Sequence, residues 1–154
     1  GGPVELPKSP LRKLSDGGSV FIELYWGPEV IMPEQEVKFA AVLYDNANRR
    51  LGETERYTIE IFDDGKSILK QELSNNLQPI TVKFSSEGVK KVVVSYETLF
   101  RTGDATVTRI ERAEFDMVVV PEFPLGVIAV IGSVMAMMLI IARIKMKIMI
   151  PTFK

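Results

Sequence analysis

The chain of 154 residues contains no cysteine and no histidine. Without cysteine it cannot form disulfides, thiolate nucleophiles or thiolate metal sites. Without histidine it lacks the commonest general base and the commonest transition-metal ligand. A Ser-His-Asp triad or a histidine-ligated zinc or copper site therefore cannot be built from this chain alone. We expect no catalytic residue, no metal and no cofactor, and predict that the protein is not an enzyme.

Acidic residues are absent from the C-terminal end of the chain. Residues 1–122 carry 15 basic and 20 acidic side chains, a net charge of −5, whereas residues 123–154 carry four basic side chains and no acid. Nucleic-acid binding requires clustered Lys and Arg that release counterions from the phosphates. Because the larger part of the chain is acidic, we expect no nucleic-acid partner.

A long uncharged run precedes the basic residues of the C-terminal end. Residues 125–142 form a stretch of 18 residues without a charge, and a helix of that length, rising about 1.5 Å per residue, nearly crosses a hydrocarbon core of about 30 Å. The alternative, a buried helix of a soluble protein, would normally keep a polar face. We predict a transmembrane helix over residues 125–147, with the lipid bilayer as a partner.

The basic residues after this run predict its orientation. Arg143, Lys145 and Lys147 can reach the headgroups and anchor the helix end, and the positive-inside rule places them in the cytoplasm. Residues 148–154 are then a cytoplasmic tail, and the N-terminal domain of this single-pass cell-membrane protein lies outside. Gly1 in the first position fits an exported chain whose signal peptide has been removed.

Small residues inside the run are spaced four apart. Ala129 and Ser133 form one such pair, and Gly132 and Ala136 form the other. This spacing lets a second helix approach closely. We therefore predict that these four residues are helix-packing candidates and that the partners include other integral membrane subunits.

The junction before the run carries a short motif. Pro121, Glu122 and Phe123, followed by the apolar run and the basic end, resemble the PEF-type C-terminal signals of archaeal surface proteins. The resemblance implies an archaeal, exported and membrane-anchored protein. Some members of that family are cut near the motif and transferred to an anchor by a membrane sortase. Because the tail extends beyond the basic cluster, we expect a retained helix, and the prolines predict a stiff joint over residues 121–124.

Prolines and glycines dominate the N-terminal end of the chain. Pro3, Pro7 and Pro10 lie between paired glycines at the two ends of residues 1–18. Proline removes a backbone donor and fixes φ, which excludes a continuous helix or a central strand. We predict an extended arm in this segment.

From Ser19 onward, short runs rich in β-branched and aromatic residues alternate with turns. Asp64-Gly65 is a strong hairpin signal. Apolar residues recur with a period of two, so each strand has one inward face; they include Val20, Ile22, Leu24 and Trp26, then Val37, Phe39, Ala41 and Leu43, then Tyr57, Ile59 and Ile61. The pattern predicts an all-β, immunoglobulin-like or fibronectin-like antiparallel β-sandwich over residues 19–120.

Two aromatic residues beside a turn are the candidates for partner contact. Tyr25 and Trp26 could anchor a partner or rest at a lipid interface, where such rings are favoured. The alternative is that at least one ring packs in the core. The sequence leaves both interpretations open.

Clustered charges in the domain have ordinary explanations. Glu60, Asp63 and Asp64 could ligate calcium through carboxylate oxygens, but Asp-Asp-Gly is primarily turn chemistry, and we prefer the turn. Lys90 and Lys91 are expected to be solvated surface charges, with the pair also discouraging edge-to-edge pairing of sheets. No spacing of carboxylates identifies an acid and a base.

These features predict a noncatalytic accessory or structural subunit of a larger archaeal membrane complex, to which the chain supplies an outer-face β domain and one membrane helix. The resemblance to archaeal surface proteins implies a host complex such as a membrane oxidase or a copper monooxygenase. The alternative is a free-standing cell-surface binding or adhesion module that recognises its ligand through the sandwich loops, since one fold hosts many functions. A third hypothesis, a sortase-processed surface protein, predicts a mature chain that ends near Pro121.

Overall fold

The computed structural model describes residues 6–121 and 125–149, with side chains of the helix described for residues 133–145. The chain divides into two units, residues 1–121 and residues 122–154. The second unit contains a helix, α1 (Leu125–Met149). The first unit contains the strands β1 (Leu11–Leu14), β2 (Val20–Gly27), β3 (Glu36–Asp45), β4 (Arg56–Asp63), β5 (Lys66–Ser74), β6 (Ile80–Lys83), β7 (Gly88–Thr102) and β8 (Ala105–Val119).

The strands form two four-stranded antiparallel sheets. Sheet A has the order β1-β2-β3-β6, and sheet B has the order β5-β4-β7-β8. The buried faces of both sheets contribute to one hydrophobic core. The predicted all-β class and its sandwich-like pair of sheets are confirmed.

The alternation in the sequence places the core. Strand β2 buries every second residue from Val20 to Trp26, and β4 buries Tyr57 together with Ile59 and Ile61. Within the core, Phe39 of β3 meets Phe84, which follows β6, edge to face with ring centroids 6.3 Å apart. Trp26 lies in this core, so the core alternative for that ring is the correct one.

The predicted hairpin between β4 and β5 forms at Asp64-Gly65. Both residues have positive φ, 52° and 80°, as a tight two-residue hairpin turn requires. Gly tolerates this conformation without a steric cost, and Asp tolerates it better than most residues. The turn brings Asp63 and Asp64 to the end of sheet B.

The N-terminal segment differs from the predicted extended arm. Residues 11–14 form β1, which pairs with β2 in register from Leu11 opposite Leu24 to Leu14 opposite Phe21. The prolines stop at Pro10, and an edge strand requires backbone hydrogen bonds on one side only. The proline argument excluded a central strand but not this edge strand. Residues 1–5 lie outside the described part of the chain.

The predicted transmembrane helix over residues 125–147 is not confirmed. Among the described residues, no helix combines the length and the apolarity that a membrane crossing takes. The motif residues Glu122 and Phe123 and the tail from residue 150 lie outside the described residues.

Candidate functional site

The hairpin of β7 and β8 extends far beyond its neighbouring strand. The two strands pair along their whole length, from Gly88 opposite Val119 to Thr102 opposite Ala105. Strand β4 pairs with β7 only over residues 91–95. Residues 96–111 therefore form a two-stranded projection, which we call the ribbon.

Large apolar side chains are exposed on both faces of the ribbon. On the face that continues the core side of sheet B, Phe100 and Val107 are directly paired and are 41% and 40% exposed. On the opposite face, Leu99 and Ile110 are diagonal neighbours and are 70% and 54% exposed. Single exposed apolar residues are normal on a protein surface, but neighbouring ones mark an interaction surface.

A buried carboxylate fixes the base of the ribbon. Glu111 is completely buried, and its two oxygens accept hydrogen bonds from the Gly17 backbone N–H at 2.9 Å and the Ser19 hydroxyl at 2.6 Å. Arg109 lies 3.9 Å from the same carboxylate. Because a buried charge is tolerated only with such partners, Glu111 ties β8 to the turn between β1 and β2.

A tyrosine hydrogen bond supports the other strand of the ribbon. The Tyr96 hydroxyl donates to Glu55 Oε2 at 2.8 Å. Burial and this bond to a carboxylate raise the pKa of Tyr96 to about 12. The β7 side of the ribbon is thus held to the segment before β4.

A second candidate region is the outer face of sheet B. A cavity of about 700 Å³ lies over this face, and charges of both signs surround the central Val93. Lys91 forms an ion pair with Glu114 at 3.2 Å, and Glu60 accepts a hydrogen bond from Ser67 at 2.8 Å. The remaining lining includes Thr58, Phe62, Lys70, Ser95, Arg112 and Asp116. The mixture suits a polar ligand without a large net charge.

Lys90 is not the solvated surface charge that the sequence predicted. Its side chain is fully buried, and its ammonium lies 2.6 Å from Asp63 and 2.8 Å from Asp64. It also donates to the Ser86 hydroxyl at 2.8 Å. The reason is the strand alternation: Lys90 occupies an inward position of β7, whereas Lys91 points outward and is exposed.

The same contacts bear on the calcium alternative at the β4–β5 turn. Asp63 and Asp64 are engaged by Lys90, and Asp63 also accepts bonds from the Ser85 backbone N–H and hydroxyl. Asp63 closes β4 and Asp64 takes the positive φ of the β4–β5 turn, so both residues act in the turn and in the cluster around Lys90.

Tyr25 lies on the outer face of sheet A, partly exposed. Its hydroxyl donates a hydrogen bond to Glu23, and this bond, with burial, raises the pKa of Tyr25 to about 12. Beside it, Arg12 forms an ion pair with Glu23 at 3.3 Å and stacks over Tyr44. Tyr25 remains available for a partner contact, whereas Trp26 is in the core.

The predicted helix and anchor residues are described in part. On α1, Ser133, Ala136, Arg143 and Lys145 have exposed side chains. The side chains of the other candidates, Ala129, Gly132 and Lys147, lie outside the described residues. The structure does not bring the helix-packing candidates into contact with a second helix among the described elements.

The ribbon was not identified as a site from the sequence. Nothing in the sequence indicated that β4 ends early along β7. A signal was present in Leu99-Phe100, two consecutive large apolar residues, which place one apolar side chain on each face of a strand.

Comparisons with protein-family models, with curated proteins and with solved structures each returned no match for this chain.

Proposed function

We propose that the protein is a noncatalytic accessory subunit of a larger membrane protein complex, and that its β domain contacts other subunits through the ribbon. The observation that carries this proposal is the exposure of four large apolar side chains on one projecting hairpin. Burying such side chains against a partner is favourable by about 25 cal/mol per Å² of apolar surface. A surface of this kind favours a protein partner over a small polar ligand.

The anchoring of the ribbon supports the same conclusion. Glu111 and Tyr96 fix its two strands at the base, so less conformational entropy is lost when a partner binds. A free hairpin with the same side chains would lose more. The ribbon is therefore a preorganised contact surface.

The membrane part of the proposal is supported by the sequence. Residues 125–142 carry no charge, and Arg143, Lys145 and Lys147 follow at once. We propose that this C-terminal segment attaches the chain to the cell membrane, with the β domain outside and the basic end on the cytoplasmic side. The PEF-type resemblance supports an archaeal source, and an oxidase or a copper monooxygenase is the proposed kind of host.

The strand order supports an immunoglobulin-like or fibronectin-like architecture for the domain. Sheet B, in the order β5-β4-β7-β8, corresponds to the C′-C-F-G sheet of such domains, and β2-β3-β6 of sheet A corresponds to A-B-E. In this assignment the ribbon is the F–G hairpin. Variable immunoglobulin domains use the loop of that hairpin for recognition.

The test is extraction of the full chain from the membranes of its source in mild detergent, followed by native-gel separation and mass spectrometry. The double variant Leu99→Ser, Ile110→Ser should lose its partner subunits from the band. Val30→Ser, which removes another exposed apolar side chain outside the ribbon, should keep them. Migration of the unaltered chain alone would overturn the proposal.

A second candidate function rests on the cavity over sheet B. A free-standing surface module could bind a polar polymer, such as a glycan, among the mixed charges around Val93. Binding to a glycan array that is lost in Arg112→Ala and unchanged in Leu99→Ser, a ribbon residue outside the cavity lining, would favour this alternative. Co-purification with membrane subunits would favour the first.

A further inference from the structure

The edge of β8 that faces away from β7 is hydrogen-bonded along one half and unpaired along the other. The backbone of Arg112 points away from β7: its carbonyl accepts from the Asp16 N–H at 2.8 Å, and its N–H donates to the Asp16 side chain at 3.0 Å. Farther along, the Glu114 carbonyl accepts from Lys13 at 2.7 Å. From Arg112 onward, the chain itself covers this edge.

The same alternation continues into the ribbon. The β7–β8 register has no shift, so the backbone groups of Thr106, Thr108 and Ile110 point toward the same edge as those of Arg112. Within residues 6–121, no segment pairs with β8 along 105–110 other than β7. These groups form a row of donors and acceptors open to a further strand.

The outer edges of the two sheets, β5, β1 and β6, carry features that discourage such pairing, and the part of β7 beyond Ser95, which β4 leaves unpaired, carries Glu97 and Arg101. Strand β5 has Lys66 and Lys70 along it, β1 has only four residues with Arg12 and Lys13 among them, and β6 has four residues and ends in Lys83. Short strands and lysines are the usual protection of an edge. Residues 105–110 (ATVTRI) are instead rich in Thr, Val and Ile, which favour strands, and contain one charge.

We propose that this edge pairs with the same edge of a second copy of the chain. The two β8 strands run antiparallel about a two-fold axis at Val107, so that residues 105–109 of each copy face one another. The turn at residues 102–104 limits the paired segment at one end, and the Asp16 contact limits it at the other.

The side chains select this register. It places Val107 against Val107 of the second copy, and Phe100 already lies beside Val107 on the same face. Four apolar side chains then form one continuous row across the two ribbons. Arg109 faces Ala105 of the second copy, so no like charges oppose each other.

A register shifted by one hydrogen-bonded pair is less favourable. Pairing about Thr108 would place Arg109 opposite Val107 of the second copy and interrupt the apolar row. It would also bring the two guanidinium groups closer together on one face. The arrangement about Val107 is therefore the one proposed.

This inference rests on the proposed function in one respect, the use of the ribbon as a contact surface. The second copy of the chain would be one of the subunits that the ribbon contacts in the assembly. The two can fail separately. Partner subunits can be retained without strand pairing, and two copies can pair without other subunits.

The absence of cysteine makes a direct test possible. Val107 belongs to a pair that is not hydrogen-bonded across the new interface, where Cα atoms lie about 4.5 Å apart, within the range of a disulfide. The experiment compares Val107→Cys with Val30→Cys, in the full chain in mild detergent under gentle oxidation. Val30 is 47% exposed, against 40% for Val107, but lies outside the ribbon, so it reports random collision.

The expected result is disulfide-linked dimer forming at least about tenfold faster for Val107→Cys, because pairing raises the effective concentration of the two thiols. Adding Thr108→Pro should abolish the difference, since it removes an outward N–H that makes no bond within the chain. Equal rates for the two cysteine variants overturn the inference. So does persistence of the fast rate in a folded Thr108→Pro variant.

These outcomes separate the inference from the proposed function. If cross-linking is slow but the membrane partners are retained, the proposed strand pairing is wrong and the proposed accessory role stands. If cross-linking is fast in a chain that migrates without other subunits, the strand pairing is supported and the accessory role is wrong.

Discussion

Lys90 Nζ lies 2.6 Å from Asp63 Oδ1, and both side chains are buried. Asp64 and Ser86 complete the surroundings of the ammonium. This ion pair joins β7 to the end of β4 and holds the β4–β5 turn in place. Removing one partner would leave the other as an uncompensated buried charge, which is far more costly than losing a surface pair.

Replacing Lys90 tests this relationship. Lys90→Met is expected to lower the free energy of unfolding by about 3–5 kcal/mol, because the Asp63 carboxylate would be left without its cation. Lys91→Met breaks only an exposed pair with Glu114 and should cost less than about 1 kcal/mol. Urea titration of both variants makes the comparison. Similar losses in the two variants would contradict the structural role of Lys90.

The same cluster predicts a dependence on acid. Burial raises the pKa of Asp63, but hydrogen bonds from Lys90 and Ser85 outweigh it and hold the pKa below its ordinary value. Hydrogen bonds from Lys90 and Ser86 lower the pKa of Asp64 as well. A depressed pKa in the folded state contributes stability above the unfolded value of 3.8, which is lost as pH falls through the folded pKa.

Unfolding measured from pH 6 to pH 2 should therefore show a steeper loss of stability in the unaltered chain than in the double variant Lys90→Met, Asp63→Asn. The double variant removes both charges together, so it should also recover part of the stability lost in Lys90→Met alone. Parallel pH profiles for the two chains would rule out the cluster as the source of acid sensitivity.

The base of the ribbon predicts the effect of a small substitution. In Gly17→Ala, the added Cβ would lie 2.7 Å from Glu111 Cδ and clash with both carboxylate oxygens. The variant should lose about 1–3 kcal/mol, the cost of displacing a buried hydrogen-bonded group. Gly52→Ala is the matched control, since its nearest new neighbour is 3.9 Å away. Thermal unfolding of both variants makes the comparison, and a Gly17→Ala variant as stable as the unaltered chain would contradict the packing of Glu111.

Besides Tyr57, whose pKa is raised by burial, two tyrosines should ionise late in an alkaline titration. Hydrogen bonding to Glu23 and burial raise the pKa of Tyr25 to about 12, and burial with a bond to Glu55 does the same for Tyr96. A raised folded pKa contributes stability below the unfolded value of 10, which is lost as pH rises through about 12. Absorbance titration should lose part of the late phase in Tyr96→Phe. An ordinary titration of both rings would contradict these contacts.

The core residues could be predicted from the sequence, but the hydrogen bonds between distant polar residues could not. The period-two pattern identified the inward residues of β2, β3 and β4 because burial on one face of a strand is a local property. Glu111 and Gly17 are distant in the sequence, and only the packing of β8 against the β1–β2 turn brings them together. No spacing rule relates such a pair.

Lys90 and the ribbon illustrate two further limits. The charge of Lys90 indicated an exposed side chain, whereas its position in the strand alternation indicated a buried one. Lys90 is buried because Asp63 and Asp64 neutralise its charge. The ribbon depends on where β4 stops pairing with β7, which is a property of two strands and not of either one. Its exposed residues therefore look like ordinary strand residues in the sequence.

Binding of other membrane subunits by the ribbon is tested by native-gel separation and mass spectrometry of the full chain after mild-detergent extraction. The chains compared are the unaltered protein, Leu99→Ser with Ile110→Ser, and Val30→Ser. We expect defined membrane subunits with the unaltered chain and with Val30→Ser, and their loss from the ribbon variant. Retention of the same subunits by a folded ribbon variant, or migration of the unaltered chain alone, would contradict it.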